Sequence, residues 1–233
     1  MIIPIFNLIL GTISSAVAFI LYGSYRESKQ KSVWSLSLVF FLIAIYALSL
    51  AIPFILFPGR SFILGLSYNI AITCLFCIFL MGLRLPIFSV FNFLRGEGLI
   101  WLECILTFVG ATVISLQMFD FQHPVLSNGF IFWRMHPIAA WLTGGLSLLY
   151  GIIWGLGFYR SSTMVKKTKQ KIKLLTFAGN GLTLGASGLV FFTAHNNTQT
   201  LIATGLAVIS CLATMIVLIA IPKPKLGRPK KFN

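Results

Sequence analysis

The sequence predicts an all-α fold: a polytopic membrane protein, built as a seven-helix transmembrane bundle with its N-terminus outside and its C-terminus cytoplasmic. Three observations predict it. First, 58% of the 233 residues are hydrophobic and only 9% are charged, where a soluble domain carries about 25% charged residues. So few charges cannot cover a water-facing surface. Second, seven apolar stretches each approach the roughly 20 residues that a helix needs to cross a bilayer. Third, residues 159–173, YRSSTMVKKTKQKIK, carry Arg160, Lys166, Lys167, Lys169, Lys171 and Lys173 and no acid. Read as a short loop between two spans, this stretch stays cytoplasmic, because short Lys/Arg-rich loops resist translocation. That fixes the side of every other loop. Of the 18 Lys and Arg, only Arg60 and Arg134 then lie outside, which leaves 16 inside.

Residues 1–221 read as the seven-span domain and 222–233 as a basic, disordered cytoplasmic tail. Span one (3–22) lacks a basic leader and reads as a permanent span rather than a cleaved signal. Asn7, Gly11, Ser14 or Ser15, Ala18 and Tyr22 share one face, expected to turn inward because small and polar residues favour helix contacts in lipid. Span two (33–57) opens at Trp34, where an amphipathic ring favours the interface. Its Pro53 is expected to kink the last third. Span three (62–83) aligns Asn69, Thr73, Cys77 and Arg84. Pro86 stops it, and 87–94 reads as a short interfacial helix between Arg84 and Arg95.

Span four (99–119) carries Glu103, Thr107, Gly110, Ile114 and Gln117 on one face, the most polar stripe in the chain. The connection 120–136 is apolar enough to fold back over the bundle. Span five (137–158) lines up Gly144, Leu148, Gly151 and Gly155, with Trp154 at the inner interface. Span six (174–192) lines up Ala178, Gly181, Gly185 and Gly188. The two small-residue faces are expected to meet, since missing side chains let backbones approach. Span seven (200–221) presents Thr204, Cys211 and Thr214.

The candidate chemistry is sparse. Glu103 is the only acid inside a span, and an intramembrane carboxylate is costly enough to point to a role. A structural ion pair with Arg84 or Arg95, a proton or substrate path, and a partner contact are its three readings. His123, His136 and His195 fall on the outer side, but their spacing matches no metal motif. No metal and no cofactor are expected. Cys74, Cys77, Cys104 and Cys211 all lie in apolar stretches and read as buried thiols, the 74–77 CxxC included. Asn196-Asn197-Thr198 fits a glycosylation sequon, though within a few residues of two spans. No lysine lies inside a span, which excludes a retinal Schiff base, and four acids in all are too few for a multi-carboxylate metal enzyme. The net charge of +14 sits in loops and tail. Anionic headgroups at the cytoplasmic face are therefore the expected partner of Lys166, Lys167, Lys169, Lys171 and Lys173, not nucleic acid.

Seven short-looped spans with a basic loop between spans five and six, carried by stretches such as YGSYRESKQKSVWSLSLVFFLIAIYALSL and KKTKQKIKLLTFAG, resemble the seven-helix input module found ahead of some bacterial sensor histidine kinases. The resemblance covers residues 7–221 and is one of pattern. It implies a non-enzymatic sensor or receptor-like module in a bacterial plasma membrane. No kinase or cyclase segment follows residue 221, so a stand-alone sensor or a subunit of a larger membrane assembly is expected, partnered by other membrane subunits or a second copy. The sugar-permeating seven-span transporters share the length and orientation, but their paired prolines in corresponding half-helices have no match in spans five and six. The alternative is a small-solute or proton-coupled transporter, with Glu103, Thr107 and Gln117 along its path.

The charge distribution makes a direct prediction. Reporter fusions at Lys167 and Lys230 should both read cytoplasmic, and one at Asn128 external. Lys167 and Asn128 reporting the same side would refute the span count.

Overall fold

Lipid offers no hydrogen bonds, so each apolar stretch must satisfy its own backbone, and a helix does that within one segment. The computed structural model describes residues 2–83, 97–119, 125–127, 130–132 and 135–221. Among them are seven helices long and apolar enough to cross a membrane: α1 (Ile2–Ser28), α2 (Lys31–Leu56), α3 (Ser61–Leu83), α4 (Glu97–Phe119), α5 (Pro137–Thr163), α6 (Thr168–Thr193) and α7 (Asn197–Ala220). The protein is an all-α, multi-pass integral membrane protein. One small antiparallel hairpin joins α4 to α5, with β1 (Val125–Ser127) paired to β2 (Phe130–Phe132). The sequence reading places no strand in this connection.

The helices outrun the apolar stretches. The basic segment expected as a loop is mostly helix: α5 runs on to Thr163 and α6 begins at Thr168, leaving four residues between them. The connection after span one shortens in the same way, from ten residues to Lys29 and Gln30. Hydropathy marks where lipid ends, whereas an i→i−4 ladder continues into water as long as the side chains allow it. α1 stops because Lys29 turns into the left-handed region, at φ 55°. Its N–H returns to Tyr25 O at 2.7 Å, which closes the helix end. α7 starts at Asn196, whose side-chain oxygen accepts from Gln199 N at 2.9 Å, while Gln199 Oε1 accepts from His195 N at 2.9 Å. The sequon asparagine is thus a helix cap.

The helices form a closed ring. Each packs on the next in sequence, and α7 packs back on α1. The α5–α6 contact is the most extensive, and α4 is held least, against α3 and α5. Exposed Trp101, Ile105 and Phe108 cover its outer side. One core cluster gathers Val17, Val39, Phe40, Trp154, Phe158 and Phe177 from α1, α2, α5 and α6. A second gathers Tyr68, Phe76, Phe79, Leu106, Val113 and Phe192 from α3, α4 and α6.

Pro53 shows how polar groups are settled inside the ring. It lies within α2 and has no N–H to give, so the carbonyl four residues back, Ser49 O, loses its helical donor. The hydroxyl of Ser67, on α3, donates to Ser49 O instead. Ser67 is buried, and an unpaired buried carbonyl costs about 1–3 kcal/mol. Ser67→Ala should therefore lower unfolding stability by about 1 kcal/mol or more, whereas Thr12→Ala, whose exposed hydroxyl bonds only within α1, should change little. Equal effects in thermal unfolding would show that Ser67 does not relieve the proline.

Candidate functional site

The glycine stripes of α5 and α6 lie against each other. A Cβ placed on Gly151 would sit 2.6 Å from Gly181 O and 2.6 Å from Gly185 Cα. One on Gly185 would sit 2.8 Å from Gly151 Cα and 2.8 Å from Ser147 O. No side chain fits at either position without moving backbone. A Cβ on Gly188 would meet the Ser147 side chain at 2.6 Å, one on Gly155 Leu182 at 2.6 Å, and one on Gly144 the Leu189 backbone at 3.3 Å. Gly181 lies directly under the Trp154 ring. Trp154 is buried, and its Nε1 donates to Phe177 O at 3.0 Å. Trp154, read from the sequence as marking the inner interface, thus turns its ring into the bundle. The missing side chain of Gly181 makes a slot that draws the indole inside, and the Phe177 carbonyl supplies its acceptor.

Beside this seam, and lined in part by Gly151, Gly181, Gly185 and Gly188, is a partly open cavity of about 120 Å³. Six of the seven helices line it: α1, α2, α3, α5, α6 and α7. Its walls are aromatic and aliphatic, with Phe40, Tyr46, Phe79, Tyr150, Trp154 and Phe191 among the aromatic residues. Among the described residues, no charged one lines it.

Two polar layers cross the bundle here. In the first, Asn180 of α6 donates to Ser210 Oγ at 3.0 Å and to Cys211 Sγ at 3.8 Å on α7, and Ser14 of α1 donates to Cys211 Sγ at 3.9 Å. Those contacts fix the register of α1, α6 and α7. Seven residues along each helix, two turns on and on the same face, stand Asn7, Ser187 and Thr204. All three are buried and all three line the cavity. The Thr204 hydroxyl donates to Thr200 O at 2.7 Å, and that of Ser147, also on the wall, to Thr143 O at 2.7 Å. Ser187 differs. Its residue is 5% exposed, and its Oγ, like the hydroxyl of Thr143 on α5, has no hydrogen-bond partner among the described residues.

The stripe expected on α4 does not form one inward face. Gly110 and Gln117 are buried, Glu103 and Ile114 are half-buried, and Thr107 is exposed. The buried line runs Leu106, Gly110, Val113, Gln117, which turns Thr107 outward. The Thr107 hydroxyl donates to Glu103 O at 2.8 Å, inside its own helix. The same holds on α3, where Thr73 is exposed and bonds to Asn69 O at 2.8 Å, while Asn69 is half-buried. A hydroxyl that bonds its own backbone is neutral towards lipid, so a threonine stripe does not mark the inside. Neither Glu103 nor Gln117 lines the cavity. Tyr22, expected inside, is exposed and rests 5.7 Å from the Trp34 ring.

Cys211 is buried and Cys74 and Cys77 are half-buried, but Cys104 is exposed on α4, against the expectation of a buried thiol. His136 precedes α5 and is half-buried, and His195 is exposed. Lys166, Lys167, Lys169 and Lys171 are exposed and Lys173 half-buried, at the α5–α6 end of the bundle. Arg84, Arg95, His123, Asp120, Arg134, segment 87–94 and the tail 222–233 lie outside the described residues. Among the described residues no group of three or more His, Cys, Asp or Glu is placed to hold a metal.

The cavity itself is the site that sequence reasoning missed. Its signal was present in Asn7–Ser14, Asn180–Ser187 and Thr204–Cys211, three polar pairs each seven residues apart, but only the contacts between helices show that the pairs face one another. A scan of protein-family models, a search of curated proteins and a search of solved structures each returned no match to this chain.

Proposed function

We propose that the chain is a non-enzymatic, receptor-like membrane module that reads whether its central cavity is occupied. In this reading the N-terminus is outside and the C-terminus cytoplasmic, in a bacterial plasma membrane. Lys166, Lys167, Lys169, Lys171 and Lys173 rest among anionic headgroups, and a second membrane subunit or a second copy takes up the signal. The observation that supports the reading is the cavity's place. Six helices share its wall, so filling or emptying it bears on the packing of nearly the whole ring. An uncharged lining suits recognition better than proton or ion movement, which calls on charged groups in the path.

Transport along Glu103, Thr107 and Gln117 is the weaker reading, because none of the three lines the cavity and Thr107 faces outward. The two readings differ in access. A transporter must open its site to both sides of the membrane in turn. Ser147→Cys, placed in a chain whose own four cysteines are replaced, puts a thiol on the cavity wall. A membrane-impermeant thiol reagent should label it from one side of the membrane only, in sealed vesicles of either orientation. Labelling from both sides would refute the receptor reading and favour transport.

A further inference from the structure

We infer that the central cavity binds an uncharged, membrane-soluble molecule with a hydrocarbon or aromatic body and one hydroxyl or carbonyl group, which pairs with Ser187. This names the ligand class for the receptor reading and rests on it for what occupancy does; binding itself is measured separately.

Three features of the site select this class. Among the described residues, its lining holds no charged one. A charged ligand would lose its hydration with nothing to replace it, a cost no hydrophobic contact offsets. Its walls are aromatic and aliphatic, from Phe40, Ile43, Tyr46, Phe79, Tyr150 and Trp154. The space of about 120 Å³ is close to the roughly 150 Å³ apolar cavity that admits benzene. A ring or a short branched chain fits, and a sugar or a peptide does not.

The third feature is the unspent hydroxyl. Most buried hydroxyls in these helices find a partner, as Ser147 and Thr204 do on the same wall. Ser187 does not, although the residue is 95% removed from solvent, its exposure being 5%; Thr143 of α5 is another that does not. A hydroxyl left unpaired in such surroundings is costly, and a ligand that supplies its partner recovers the loss. The Ser187 Oγ is itself closed off in this conformer, so it meets the ligand by turning about its Cα–Cβ bond; it can both donate and accept, so an alcohol or a carbonyl serves. Asn7 and Thr204 stand at the same level on the neighbouring helices and give the ligand's polar end a surround, while its body extends along the aromatic wall.

The test uses the full chain in lipid nanodiscs, with Trp34, Trp101, Trp133 and Trp141 changed to Phe. Trp154, on the cavity wall, is then the one fluorophore of its type. Bromine quenches indole emission at short range, so three brominated probes of similar size report on occupancy. The expected result is saturable quenching by 4-bromophenol, weaker saturable quenching by bromobenzene, and none that saturates with the anion 4-bromobenzoate. Ser187→Ala should weaken 4-bromophenol about fivefold, the value of one ordinary hydrogen bond, and leave bromobenzene unchanged. Ala207→Phe, which fills the cavity, should abolish saturable quenching by both.

Quenching that never saturates for any probe means the cavity holds only water or lipid, and overturns the inference. So does 4-bromobenzoate binding as well as the phenol. If the Ser187 hydroxyl simply turns onto its own helix, Ser187→Ala leaves the phenol affinity unchanged, and the assigned contact falls. None of these outcomes depends on the sidedness of thiol labelling, so the ligand class and the receptor reading can fail independently.

Discussion

The rest of the structure depends on how closely α5 and α6 approach. Lipid is as apolar as leucine, so helices in a bilayer gain no hydrophobic free energy by meeting. What holds them is dispersion between surfaces that fit, and that grows as backbones come together. Gly151 and Gly185 remove the two side chains that would keep the backbones apart, and Gly181 makes the slot in which Trp154 lies. Trp154 then reaches Phe177 O, lies with its ring tilted against that of Phe158 at 5.2 Å and forms part of the cavity wall. One seam of missing side chains therefore sets both the tightest contact in the ring and one side of its central space.

Where the ring is not tight, polar pairs do the positioning. Ser37 of α2 donates to Ala18 O of α1 at 2.8 Å, Ser67 of α3 reaches α2 at Pro53, and Asn180 ties α6 to α7. Each joins neighbours around the ring through one short side chain. Such bonds are worth only about 0.6–2 kcal/mol each in membranes, but they specify register, because a shift of one residue would strand both partners. Ser187 departs from this economy, as does the fully buried Thr143 of α5, whose hydroxyl is also unpartnered among the described residues. Ser187 lies in the same buried layer system, two turns from Asn180, yet its hydroxyl is left over. An unpaired polar group in a buried place calls for an explanation, and on a cavity wall a ligand would supply one.

The spans were legible because hydropathy and length report directly on lipid, and the glycine stripes were legible because period 3.6 puts Gly144, Gly151 and Gly155 on one side. Helix ends were not, since Tyr159–Arg160 and Lys169–Lys171 continue a ladder that hydropathy does not see. Polarity alone misplaced Thr73 and Thr107, because a threonine that bonds its own carbonyl tolerates lipid. It also ranked the α4 stripe above the α1–α6–α7 layers. Those layers need three helices in register to exist, and register is a property of contacts such as Ser14–Cys211 that no single helix carries. The cavity is likewise what six helices leave unfilled, and no one of them encodes it.

The central claim is that backbone contact at Gly185, rather than small size in general, holds the bundle. Thermal unfolding of Gly185→Ala beside Gly179→Ala tests it most directly. Both glycines lie within α6, but a Cβ on Gly179 meets nothing within 4 Å, whereas one on Gly185 meets Gly151 Cα and Ser147 O at 2.8 Å. Alanine favours a helix over glycine by about 1 kcal/mol, so Gly179→Ala should hold or raise the midpoint. Gly185→Ala should lower it by several degrees, despite the same gain in propensity. Two variants that unfold together, at or above the parent midpoint, would contradict the claim.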